Sequence, residues 1–109
     1  MANHEFGIMQ TPPKNRKRYD DFEPEKYNCI TVNDDYLEIV ANDLNDIDFY
    51  WHTLDVSGKG LAYCGVTLIP HSSMQKFISV IKDISELNEL KKILLKAYEE
   101  NKWVIHFGI

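Results

Sequence analysis

Four histidines, two cysteines and a set of phenols and carboxylates are the side chains of this 109-residue chain with chemistry beyond packing. Three of them, Tyr50, His52 and Tyr63, fall in two aromatic and β-branched runs, Phe49–Leu54 and Leu61–Ile69. Asp55-Val56-Ser57-Gly58-Lys59-Gly60 separates the runs, and its two glycines predict the tip of a β-hairpin. Pairing Leu54 with Leu61 continues the ladder through His52–Tyr63, Trp51–Cys64, Tyr50–Gly65 and Phe49–Val66. Alternation then gives a core face of Phe49, Trp51, Cys64, Val66 and Leu68. The other face holds Tyr50, His52, Leu54, Tyr63 and Thr67, and His106 joins it where the last strand lies alongside. Tyrosine and histidine offer large contact area with a hydrogen-bonding tip, which suits a ligand cleft or a partner surface. Tyr50, His52, Tyr63 and His106 are therefore the expected binding residues. The competing expectation is a second core layer, with a helix or the N-terminal segment covering this face.

Other chemistries find less in the residues. A Cys64–His52 nucleophilic pair needs the imidazole within reach of the sulfur, and the expected ladder puts the two on opposite faces. Buried structural thiols are the simpler expectation for Cys29 and Cys64. His4, His52, His71 and His106 show no H-x-H, H-x₃-H or H-E-x-x-H spacing, so no metal site is expected. Gly58-Lys59-Gly60 lacks the phosphate-loop layout and precedes a strand, not a helix, and no cofactor is implied. Lys14, Arg16, Lys17 and Arg18 form a basic cluster, but Asp20, Asp21, Glu23 and Glu25 follow at once and would repel a phosphate backbone.

Composition sets the frame for these residues. One domain fits the length, and 44% hydrophobic and 27% charged residues describe an ordinary globule. A net charge of −5 disfavours nucleic acid and anionic membrane as partners. The start of the chain lacks the pattern of a signal peptide, no apolar run approaches the roughly 20 residues that span a bilayer, and the cysteines read as free thiols. A cytoplasmic setting is expected.

The elements that must position the site read as follows. Residues 1–26 carry five basic and five acidic groups, so the whole −5 sits on residues 27–109. Glu5–Gln10 is expected as an edge strand and Thr11–Lys26 as a long loop or arm, broken by Pro12-Pro13. Tyr27–Val32 is β-rich. Asn33 or Asp34 caps a helix whose Leu37, Val40, Ala41 and Leu44 recur at helical spacing to about Asn45. Ser72 with Gln75 reads as a capping box ahead of Met74, Phe77, Ile78 and Ile81. Ser85 opens a longer helix closed near Asn101, and Trp103–Ile109 is a final strand. The expected fold is α+β: one antiparallel or mixed sheet of about 4–5 strands with about three helices, in the order (β)-loop-β-α-β-β-α-α-β. The leading functional expectation is a non-catalytic binding or interaction protein acting through the polar-aromatic face, with a homodimer or protein partner. The alternative is a small enzyme using His52 as general acid or base, oriented by Asp55 or helped by Tyr63 or His106.

Overall fold

Two of the most apolar segments lie at opposite ends of the chain, and the fold brings them together at the middle of one sheet. The computed structural model describes residues 2–109. Strand β1 (Asn3–Met9) lies between β2 (Ile30–Asn33) and β6 (Trp103–Phe107), and the six strands run in the order β2-β1-β6-β5-β3-β4, every pair antiparallel. The expected edge strand is thus an interior one. His4, Phe6 and Ile8 alternate onto the helix side, and Phe6 pairs with His106 across to β6. The fold is α+β with a single sheet, as the patterning predicts, with six strands and four α-helices.

Four helices pack on one face: α1 (Asp34–Glu38), α2 (Ala41–Leu44), α3 (Met74–Ile81) and α4 (Asn88–Glu99). The single helix expected to Asn45 is broken at Val40, where φ is −110° and ψ 8°; its apolar stripe survives, with Leu37, Val40 and Leu44 buried. Asn33 caps α1 by accepting from the Asp35 N–H at 2.8 Å. The Ser72 capping box does not form: Ser73 precedes α3 and donates its hydroxyl to the Asp48 carbonyl at 2.5 Å, while Gln75 donates to the Tyr98 hydroxyl at 2.7 Å. Asn101 does close α4, in the left-handed region at φ 56°, with Lys102 N–H returning to the Ala97 carbonyl at 2.8 Å.

The other face of the sheet is covered by the arm between β1 and β2. Tyr19, Tyr27 and Cys29 pack there on Met9, Val66, Leu68, Ile105 and Phe107, together with Tyr50 and Trp103. One sheet therefore separates two apolar clusters, a large one under the helices and a smaller one under the arm.

The hairpin differs most from expectation. The chain reverses at residues 52–56, with Trp51 N–H donating to the Val56 carbonyl at 2.9 Å, and Ser57–Lys59 is itself a strand, β4, paired with β3 (Asp48–Trp51). Strand β5 (Val66–Ile69) then pairs with the opposite edge of β3, matching Tyr50 to Leu68 and Trp51 to Thr67. This register is displaced by three residues from the expected one, and an odd shift exchanges the faces of β5. Val66 and Leu68 lie with Tyr50 on the arm side, while Ile69 joins Phe49 under the helices. The physical reason lies in two residues. His52 adopts φ 64°, a left-handed turn conformation uncommon outside glycine, and ends β3 there. Gly58 is glycine for close packing, since a side-chain carbon there would enter the Trp51 indole.

Candidate functional site

A chain of five polar side chains runs from the surface into the sheet on the helix side. Tyr63, exposed in the loop before β5, donates its hydroxyl to Asp34 Oδ2 at 2.5 Å. Asp34 Oδ1 lies 2.8 Å from His4 Nε2, His4 Nδ1 lies 2.8 Å from His106 Nε2, and His106 Nδ1 lies 3.0 Å from Thr67 Oγ1. Strand pairing sets most of this: β1 carries His4, β6 carries His106 and β5 carries Thr67, all facing the helices, and Thr67 is the direct partner of His106 across the ladder. Asp34 arrives from the first turn of α1, held there by its own N–H donating to the Ala2 carbonyl at 3.0 Å. His4, Asp34, Thr67 and His106 are all buried.

The donor and acceptor roles are constrained at Asp34 and at His106. Burial, then the neighbouring His4, pushes His106 well below the ordinary histidine range, so it is neutral and each ring nitrogen has one role. An ionised Asp34 can only accept, so His4 Nε2–H donates to it. The neutral His106 ring joins His4 Nδ1 to Thr67 Oγ1, donating through one nitrogen and accepting through the other. Thr67 Oγ1 in turn accepts from the Ala62 N–H at 2.8 Å. Every polar atom of the buried part is satisfied, which a network in a low-dielectric interior requires. The Tyr63 hydrogen bond, followed by that from His4, holds the Asp34 carboxyl below its usual range. The same bond raises the Tyr63 phenol to about 12, so Tyr63 stays a donor.

This network ends at a cavity of about 180 Å³ between α1, α2 and the loop before β5. Leu37, Ala41, Leu44 and Leu61 form its apolar walls, and His4, Asp34, Glu38, Asn45 and Tyr63 supply polar groups. A carboxylate has about four acceptor positions. Tyr63 and His4 use two on Asp34, which leaves two on a group that lines the cavity. Asp34, Asp35 and Glu38 also bring one carboxylate oxygen each within 4.8 Å of the others. The Asp34 oxygens are already engaged, and we assign no ion to this acidic turn.

Of the four expected binding residues, the structure brings Tyr63 and His106 into this network and places Tyr50 and His52 on the other side of the sheet. Tyr50 packs on Trp103 with ring centroids 5.8 Å apart, beneath the arm. His52 Nδ1 lies 2.7 Å from Asp20 Oδ1 of the arm, off the line of a well-aligned hydrogen bond. The His52 carbonyl accepts from the Tyr19 N–H at 2.7 Å. Asp20, not Asp55, is thus the carboxylate beside His52. The expected separation of Cys64 from His52 does not hold either: His52 has left the strand, and both line a cavity of about 270 Å³ with Asp20 and Phe22. Cys64 is exposed, unlike the buried thiol expected, whereas Cys29 is half-buried against the arm-side cluster, its thiol pushed up to about 12 by burial.

Sequence reasoning missed His4, Asp34 and Thr67 as a group. His4 carried a signal, since it shares the alternation of Phe6 and Ile8 and so points into the core. Asp34 was legible only as a helix-start residue. Comparison with protein families, characterised proteins and solved structures finds no match to this chain.

Proposed function

We propose that the protein is a non-catalytic binding protein whose ligand site is the cavity closed by Tyr63, Asp34 and His4. The observation that carries this reading is Asp34: an ionised carboxylate, buried and fixed by two donors, with acceptor capacity left on an apolar cavity. Small-molecule sites are typically apolar with a few convergent polar groups. The lining holds two carboxylates and no lysine or arginine, so the ligand class is a small amphipathic amine. Its ammonium would donate to Asp34, and its hydrocarbon body would lie on Leu37, Leu44 and Leu61. His106 and Thr67 serve behind the site by fixing the orientation of His4. Titration calorimetry with short alkyl and aryl amines against the matching alcohols tests this. Amines bind wild type and lose about tenfold or more in affinity in Asp34→Asn. The Tyr63 phenol, read by tyrosinate absorbance, should fall from about 12 toward 10.0 in that variant. Amines that bind no better than alcohols would refute the reading, while the absorbance shift reports separately on whether the network is as described.

A second reading, a small enzyme with His52 as general base, has its own observation in Asp20, His52 and Cys64 around one cavity. A carboxylate, an imidazole and an exposed thiol around one cavity are the groups that nucleophilic catalysis uses. Alkylation of Cys64 by iodoacetamide should then slow severalfold in His52→Ala; unchanged kinetics remove this reading.

A cytoplasmic setting belongs to the proposal, with Cys29 and Cys64 both free thiols. No helix among the described residues is long and apolar enough to cross a membrane. Of the residues expected to meet a partner, Tyr50 lies beneath the arm and His106 is buried under the helices. A homodimer or protein partner would have to use what remains, where Ile39 and Phe22 are the most exposed large apolar side chains among the described residues.

A further inference from the structure

The arm side of the sheet carries a second and larger cavity, about 330 Å³, between the arm and β1. Lys14, Lys17 and Lys26 line it with Tyr19, Tyr27 and Asn28, and no carboxylate does. In a chain with 17 acidic and 12 basic residues, that concentration of one sign is against composition. The lysines are also placed, since the arm is tied down along its length. Lys14 N–H donates to the Tyr19 hydroxyl at 3.1 Å, Lys17 N–H to the Lys14 carbonyl at 3.3 Å, and Cys29 N–H to the Pro24 carbonyl at 3.1 Å. Lys17 Nζ sits 4.9 Å from the Tyr19 ring centre and Lys26 Nζ 5.7 Å from that of Tyr27, so the rings hold the ammonium groups near the cavity. Lys26 has Glu23 at 3.6 Å, an exposed pair worth little. Among the described residues no ion pair neutralises Lys14 or Lys17.

We propose that this cavity binds a compact polyanion of the pyrophosphate class, a small molecule with two or more linked phosphates. Three cations converging on one cavity repel one another, and a ligand with several negative charges removes that repulsion while accepting charge-assisted hydrogen bonds from each. The Tyr19 hydroxyl, which accepts from Lys14, keeps its own proton to donate, and Asn28 adds an amide. A compact ligand is favoured over a nucleic acid because Asp20, Asp21, Glu23 and Glu25 follow the lysines along the arm and would repel a continuing phosphate backbone. The site lies across the sheet from the Asp34 cavity and does not depend on the amine reading.

Titration calorimetry of the full chain at low ionic strength tests it with inorganic pyrophosphate, a nucleoside diphosphate, orthophosphate and a single-stranded oligonucleotide. Pyrophosphate should bind and orthophosphate bind at least about tenfold more weakly, having fewer charges for three lysines. Equal affinity for pyrophosphate and the nucleoside diphosphate assigns recognition to the phosphates alone; tighter binding of the nucleotide adds a stacked base on the tyrosines. Lys14→Ala with Lys17→Ala should weaken pyrophosphate by about a hundredfold. Lys91→Ala with Lys92→Ala on α4 should leave it unchanged, with circular dichroism confirming that both variants fold. Undetectable pyrophosphate binding by wild type, equal loss in the two double variants, or stronger binding of the oligonucleotide than of pyrophosphate would overturn the proposal.

Discussion

His106 shows most directly what a single residue contributes here. It lies fully buried, with the Phe6 ring centre 4.8 Å away on one side and His4 at hydrogen-bond distance on another. Burial and His4 push it down, so the folded protein refuses a proton that the unfolded chain accepts near the ordinary value of 6.5. The unfolded state thus binds more protons below that pH, and stability must fall as pH drops through about 6.5. The slope is at most about 1.4 kcal/mol per pH unit for one group. The carboxylates held low, Asp20, Asp34, Asp48 and Glu100, add their losses only below their ordinary values of 3.8 to 4.5. The interval from pH 6.5 to about 5 therefore lies clear of these carboxylates, and the comparison with a variant assigns the slope to His106. Urea unfolding across that interval should show a slope in wild type and a flatter line in His106→Gln. Equal slopes would mean that His106 is not the group excluded from protonation.

At the scale of elements, β4 offers the sharpest test, because Gly58 changes meaning between a turn and a strand. In a turn, an added methyl group matters only through backbone angles. In β4 beneath Trp51 it meets the indole, and overpacking of this kind costs about 1–3 kcal/mol. Gly58→Ala should therefore destabilise by that amount, and Trp51→Ala should relieve much of the penalty in the double variant. Additive effects would show that the two residues do not touch. The same region marks what the sequence made legible. The final strand was legible, and its alternation places Trp103, Ile105 and Phe107 under the arm and Val104 and His106 under the helices, because both faces are buried against different layers. Alternation failed in β5, where Val66, Thr67, Leu68 and Ile69 are all buried and the pattern cannot choose a face. Register then rested on the turn, and the turn is made by His52 at positive φ rather than by the glycines. Tyr63 and His106 were found as binding candidates on that faulty register. Asp34 and His4, which complete their network, sit 30 residues apart in sequence and meet only through the tertiary fold.

At the scale of the whole molecule, the position of β1 decides how the chain is divided. The composition of residues 1–26 reads as an arm or edge strand with a long loop, ahead of a single α+β domain of residues 27–109. In the structure that segment supplies the strand between β2 and β6, and with it Phe6, Ile8 and Met9 to the clusters on both faces. Burying each such side chain contributes about 1.5–3 kcal/mol. Three of them, with the ladders to two neighbours, amount to a large share of the roughly 5–15 kcal/mol that a domain has in total. Removal of β1 would also expose the ladder edges of β2 and β6 and leave His106 without His4. A fragment of residues 27–109 should accordingly lack the native fold, with collapsed amide dispersion in its proton–nitrogen spectrum. Adding a synthetic peptide of residues 2–28 should restore dispersion, since the missing strand and arm act as one unit. A fragment that folds cooperatively alone would show that β1 is an accessory to the sheet, and that the arm-side cavity and the His4 network were added to a domain already complete.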